Sequence, residues 1–201
     1  MKIENEEPAF SARIDSNPGA RLLGAARELF SEQGYQVAGI NEIIARSGTS
    51  KKSFYKYFPG KQKLGEAYLQ AERDEQFRML HQLMQRHRDN YRAFVRTWIY
   101  TLKKGVGCED YQGCPFANTA AQALKEFGEP IGAIMQEWHE RLTEYLTGCD
   151  LALNRKAARR LSGLMLMQYE GAIQMWRLTG DVKYFDLCEE ALCGLAGVSY
   201  K

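Results

Sequence analysis

Apolar residues recur at three- and four-residue spacing along most of the chain, and no stretch of useful length alternates as a strand would. Leu22, Leu23, Ala26, Leu29 and Phe30 fall on one face of a helix that Asn17 caps, Pro18 opens and Gly34 closes. Asn41 is expected to cap a short helix, "EIIARS", that ends at Gly48. Ser50 caps the next, "KKSFYKYF", which stops before Pro59. A long helix follows from about Lys61 to Arg88, with Leu64, Tyr68, Ala71, Phe77, Leu80 and Met84 facing inward. Five more segments complete the pattern: "NYRAFVRTWIYTLKKG", "PFANTAAQALKEFG", "PIGAIMQEWHERLTEYLTG", "NRKAARRLSGLMLMQYEGAIQMWRLTG" and "VKYFDLCEEALCGLAG". The pattern predicts an all-α fold of about nine helices.

Composition sharpens this only a little. The 201 residues are 45% hydrophobic and 26% charged, which is ordinary globular composition. No apolar run reaches the roughly 18 residues that span a bilayer, and residues 1–16 carry acids and no apolar segment of signal type. The expectation is a cytoplasmic protein with a flexible N-terminal arm and no membrane partner. Five cysteines without a CxxC pair read as free thiols in a reducing compartment.

Charge changes the picture in one place. The net charge is only +2, yet "SGTSKKSFYKYFPGK" holds four lysines and four aromatic rings in fifteen positions. From Ile43 to Gly65 there is no carboxylate, against Arg46, Lys51, Lys52, Lys56, Lys61 and Lys63. Two short helices joined by "SGTS" form a helix-turn-helix, whose second helix enters the DNA major groove. Ile43, Ile44, Phe54 and Phe58 would seat that pair on the first helix. A cationic surface without acids is rewarded by counterion release from duplex phosphates, and the tyrosines can donate to phosphate.

The segment "ARELFSEQGYQVAGINEIIARSGTSKKSFYKYFPGKQKL" resembles the N-terminal domain of the TetR family of bacterial transcriptional regulators. The match runs LF-x-x-x-G-Y, an I-x-x-I-I-A helix, a glycine turn, a Ser-Lys start, F-Y-x-Y-F, and a lysine opening the next helix. The resemblance implies a three-helix DNA-binding domain over residues 17–60 and a six-helix ligand-binding and dimerisation domain over 61–201. It gives Tyr55 and Lys61 the role of phosphate contacts and makes Ser50 the cap of the recognition helix. Lys51, Lys52, Ser53, Lys56 and Tyr57 lie where the family approaches base edges or adjacent phosphates. Two departures stand out. Ala38-Gly39 replaces the usual hydroxyl residues before the second helix, removing a phosphate anchor, and Lys52 adds a charge where glycine or proline is common.

In the larger domain, "LSGLMLMQYEGAIQMW" is apolar on more than one face, so one side should meet its own core and the other a partner. In the last helix, Phe185, Cys188, Leu192 and Leu195 form one side, with Tyr184, Leu187 and Ala191 on another. The resemblance implies a homodimer through these last two helices, reading a pseudo-palindromic double-stranded operator. Phe94, Trp98, Phe116, Met135, Trp138, Met165, Tyr169 and Trp176 lie on helices that surround the effector cavity in the family; they are equally what a helical core uses. Of Gln168, Glu170 and Gln174, one can orient a ligand, or all can lie on an exposed strip.

Cys114, just before Pro115, sits at a helix start whose dipole lowers a thiol pKa, while Glu109 and Asp110 would raise it. It is either a thiol sensor of oxidants and electrophiles or a packing residue. Cys108, Cys114 and His139 lack metal-ligand spacing, and no motif nominates a catalytic group. The expectation is therefore no enzyme, no metal and no cofactor. The sequence reads as a homodimeric repressor, released from its operator when a small apolar or aromatic effector shifts the Lys61–Arg88 helix.

Overall fold

The computed structural model describes residues 17–108 and 111–197; the expected N-terminal arm lies outside them. Eight α-helices and no strand are present among the described residues. They are α1 (Pro18–Gln33), α2 (Ile40–Ser47), α3 (Lys51–Tyr57), α4 (Lys61–Arg86), α5 (Tyr91–Gly105), α6 (Pro115–Gly148), α7 (Arg155–Thr179) and α8 (Lys183–Leu195). None is long and apolar enough to cross a membrane.

Local chemistry sets most of the boundaries. Asn17 Oδ1 accepts from the Gly19 N–H at 2.9 Å, and Asn90 and Asn154 cap α5 and α7 in the same way at 2.8 and 2.9 Å. One boundary differs from expectation: α2 starts at Ile40, with Gly39 at the cap position and no side-chain cap. Asn41 is thus inside the helix rather than before it.

Eight helices stand where about nine were expected because the two segments anticipated here join across a kink as α6. The break anticipated at Gly128–Pro130 does not occur there. Pro130 is carried inside the helix, and the backbone departs from helical geometry at Ala123 instead (φ −144°, ψ 45°). A proline removes one N–H and crowds the carbonyl four residues earlier, which a well-packed helix can absorb. Ala123 yields because its neighbours are committed elsewhere: the Gln122 side chain accepts from the Gln36 backbone N–H, and the Phe127 ring meets Tyr35 edge-on at 4.8 Å.

The core runs without interruption from the N-terminal helices into the larger bundle. Leu22, Leu29, Ile43, Phe54 and Leu64 are sealed from solvent and join α1, α2, α3 and α4. Ile44 and Phe58 are half-buried beside them. Gly65 lets α4 approach α6: a Cβ there would sit 2.6 Å from the Phe127 ring and 2.8 Å from Tyr35. Ala71 and Met84, expected to face inward, are half-buried on α4.

Candidate nucleic-acid interface and regulatory domain

The turn between α2 and α3 depends on Gly48, which adopts the left-handed conformation (φ 60°, ψ 32°) that costs glycine least. Ser47 Oγ donates to the Ile44 carbonyl at 3.0 Å and lies 2.8 Å from Thr49 Oγ1, tying the turn. Ser50 Oγ accepts from the Ser53 N–H at 3.1 Å and starts α3. Phe54 is fully buried and fixes the roll of that seven-residue helix. Lys51, Lys52, Tyr55 and Lys56 are consequently turned to solvent, with Ser53 half-buried. Tyr57 is also exposed, but its ring is braced against Gly19 at the start of α1.

Among the described residues no carboxylate comes within salt-bridge distance of Lys51, Lys52 or Lys56. The other cations of the acid-free stretch are placed differently. Arg46 pairs with Glu32 at 2.6 Å and with Glu28 at 3.8 Å, so it ties α2 to α1. Lys63 pairs with Glu66 at 2.6 Å. Lys61 is half-buried: its ammonium donates to the Gln36 carbonyl at 3.0 Å and rests 4.6 Å from the Tyr35 ring centroid. Burial lowers its pKa, opposed by the nearby Glu126 carboxylate. Tyr35 in turn donates to Glu126 Oε2 at 2.9 Å, and Gln36 Nε2 donates to the Gln122 carbonyl at 3.0 Å. Tyr35, Gln36, Gln122 and Glu126 thus join the helix-turn-helix end of the molecule to α6. Sequence reasoning quoted the Gly-Tyr pair but could not see its partners roughly ninety residues away.

In the larger domain Phe94, Trp98, Phe116, Trp138, Met165 and Tyr169 are buried, while Met135 and Trp176 are half-buried. The structure gathers three of them tightly. Trp98 stacks on Tyr169 at 5.3 Å, and Trp138 meets the same ring edge-on at 5.1 Å. Phe94 touches Trp98 at 5.7 Å, whereas Trp176 packs apart from this group, on Tyr111 and Phe185. A surface cleft of about 500 Å³ between α4 and α6 involves none of the eight; Arg73, Pro130 and Glu137 line it. Gln168 and Gln174 are exposed, and of the three only Glu170 is half-buried.

Cys114 is 2% exposed. Burial pushes its thiol well above the ordinary range, and the Glu170 carboxylate pushes it further; backbone N–H groups of Ala117 and Phe116 oppose this and lose. The anticipated dipole effect is outweighed, and the thiol stays protonated at neutral pH. Sensing through a Cys114 thiolate is therefore not favoured. All five cysteines are free, and only Cys108 is exposed. With excess iodoacetamide at neutral pH, mass spectrometry is expected to find Cys108 alkylated first and Cys114 protected until the protein unfolds.

Burial also raises the Glu170 pKa, with the Cys114 thiol opposing it as a donor. An acid whose folded pKa lies above its unfolded value binds its proton more tightly when folded. Its contribution to stability is then lost as pH rises through the folded pKa. Glu170→Gln should therefore be more thermostable than the wild type near neutral pH, and the difference should close at about pH 3, where the carboxyl is protonated in both states. A melting series across that range checks it.

On α7 and α8, Met167 (70% exposed), Leu178 (79%) and Leu187 (52%) leave an apolar strip facing solvent. Leu195, expected on the inner side with Phe185, Cys188 and Leu192, is instead 45% exposed. It lies at the last residue of α8, beyond the neighbours that bury the others.

An all-helical molecule with a capped, acid-free recognition helix set on a larger aromatic-lined bundle is a helix-turn-helix DNA-binding regulator. Residues 22–68 match the model of the bacterial regulatory proteins of the tetR family, and residues 89–191 match the C-terminal domain of LmrA/YxaF-like transcriptional regulators. The chain belongs to the TetR family of bacterial transcriptional regulators. The HTH-type transcriptional regulator LmrA of Bacillus subtilis is 29% identical over 160 residues, covering 76% of this chain and 82% of LmrA. An uncharacterized HTH-type regulator from the lacX 3' region of Lactococcus lactis is 25% identical over 182 residues, covering 85% and 88%. The crystal structure of a TetR-family regulator from Streptomyces coelicolor superposes with a TM-score of 0.72 at 22% identity, over 92% of this chain and 96% of that one.

Proposed function

We propose that the protein is a cytoplasmic, homodimeric repressor that leaves a pseudo-palindromic operator when a small apolar or aromatic effector enters its larger domain. Residues 17–60 are the reading head and 61–201 the receiver and dimer domain. Catalysis has no part in this reading. One observation carries it: Lys51, Lys52, Tyr55 and Lys56 stand outward on a helix locked by Phe54, with no acidic partner among the described residues. Ser50, Ser53 and Tyr57 complete the DNA-facing set around them. Unpaired surface cations gain most from meeting phosphate, and the lysines can also reach guanine O6 and N7.

Lys61 has a second part to play. Its present acceptor, the Gln36 carbonyl, lies on the loop that Gln122 holds against α6. Movement of α4 or α6 alters that loop and the lysine together, so effector binding reaches the DNA end through contacts already made. The effector acts by preferring the arrangement that binds DNA poorly. A gel shift with the protein's own upstream DNA tests the reading. A discrete, salt-sensitive complex is expected, and binding no tighter than to random DNA of the same length would overturn it.

A further inference from the structure

Helices kink at proline, at glycine or serine, or where a side chain from elsewhere inserts into the hydrogen-bond ladder. The bend in α6 has no local cause of this kind. Residues 120–126 are three alanines with glutamine, leucine, lysine and glutamate, all strong helix formers. Pro130 crowds the carbonyl of Glu126, four residues earlier, and leaves Ala123 alone. Yet Ala123, only 5% exposed, adopts φ −144° and ψ 45°.

The inserted side chain is that of Gln36. Its Nε2 donates to the Gln122 carbonyl at 3.0 Å, a group that an unbroken helix offers to the Glu126 N–H. The Gln36 backbone N–H donates to Gln122 Oε1 at 3.1 Å. Next to it, Tyr35 holds the other side of the bend, through Glu126 Oε2 at 2.9 Å and the Phe127 ring at 4.8 Å. Two adjacent residues of one loop thus straddle Ala123. The approach is close enough to need glycine, because a Cβ on Gly34 would lie 2.5 Å from the Gln122 side-chain amide. The same loop leads into α2 at the Gly39 cap position, and its Gln36 carbonyl is the acceptor of Lys61.

We propose that α6 has two forms, bent and straight, and that Gln36 and Gln122 are positioning residues that hold it bent and make the seating of the reading head depend on the bend. The proposal rests on the regulator reading and deepens it by naming the contact that ties the two domains. Without the Gln36 bonds, nothing keeps residues 120–126 from the regular helix their composition favours. Once straight, Gln122 turns from Gln36 and the loop loses its anchor on the receiver. Helix α2 and the Lys61 acceptor then move with the loop. This route runs from α6 through the α1–α2 loop and does not need α4. The bend and the seat form one equilibrium: whatever straightens α6 weakens operator binding, and operator binding holds α6 bent.

Ala123 reports the bend directly, since the carbon-13 shifts of alanine Cα and Cβ follow its backbone angles. In alanine-labelled protein the wild type should show Ala123 at non-helical shifts, and Gln36→Met and Gln122→Met should each move it to helical ones. Both residues are exposed, so both variants should fold, which circular dichroism checks. Operator affinity should fall about tenfold in each, the equivalent of one hydrogen bond. The double variant should fall no further, because either change already releases the loop; independent contacts would instead multiply to about a hundredfold. An Ala123 that stays non-helical in both single variants overturns the proposal. So do helical shifts with unchanged operator affinity, or a multiplied loss in the double variant. A wild type that binds its operator no tighter than random DNA removes the regulator reading, and the alanine shifts then decide the bend by themselves.

Discussion

Replacing Lys51, Lys52 and Lys56 together with alanine should lower operator affinity by about a thousandfold or more at low salt. Each lysine that meets a phosphate or a base edge contributes a charge-assisted contact worth ~1.5 kcal/mol or more, and three such contacts convert to losses of that size. The dependence of affinity on salt should flatten as well. The slope of log K against log salt falls by about 0.9 for each neutralised phosphate that is lost, so the triple variant should lose about five units if all three lysines of both protomers meet phosphate. A smaller change in slope at the same loss of affinity would assign some of them to bases. The fold should not suffer, because all three side chains are exposed and make no ion pair among the described residues. Circular dichroism and melting of the variant, beside fluorescence anisotropy with labelled operator, separate a binding defect from a folding defect.

The second large effect concerns the apolar strip on α7 and α8. Met167→Glu combined with Leu187→Glu should convert the protein from dimer to monomer, as read by light scattering on a sizing column. Across a two-fold axis each substitution meets its own copy or a near neighbour, so lost apolar burial is joined by like-charge repulsion. Operator affinity should fall by about a hundredfold to ten-thousandfold, because two linked heads gain an effective concentration that a single head lacks. Both residues are more than half exposed, so the monomer should keep its helical content. A dimer that persists with both glutamates in place would move the interface elsewhere.

How much of this was legible in the sequence depended on the range of the interaction. The DNA-facing end is organised by near neighbours. Asn17-Pro18, Gly48 and Ser50 act on atoms within a few residues, and the structure places each where its chemistry required. Asn41 was misread because the preceding Gly39 already has extended backbone and serves as the cap position. The lysines were visible as a group, yet their fates were not. Arg46 is taken up by Glu28 and Glu32 from the facing side of α1, and Lys63 by Glu66, the first carboxylate beyond the acid-free window. Lys61 turns to a carbonyl twenty-five residues earlier in the chain.

The same limit governs α6. Proline and glycine at 128–130 look like a boundary when only local rules are applied. The tertiary grip of Gln122 on Gln36 and of Phe127 on Tyr35 moves the distortion to Ala123. In the larger domain, the family resemblance marked Trp98, Trp138 and Tyr169 as cavity or core residues, and all three are buried. Periodicity carries no information about whether an indole N–H finds an acceptor, and those of Trp98 and Trp138 find none among the described residues.

Methylation protection of guanine N7 by the wild-type protein on its operator tests the central claim most directly, because that atom lies only in the major groove. The account predicts two protected patches, related by the operator's two-fold symmetry and set on one face of the duplex at one helical turn, roughly 34 Å, or a multiple of it. Both should vanish in the Lys51, Lys52 and Lys56 triple variant. A single patch, or protection that survives in the triple variant, would contradict a paired molecule reading DNA through α3.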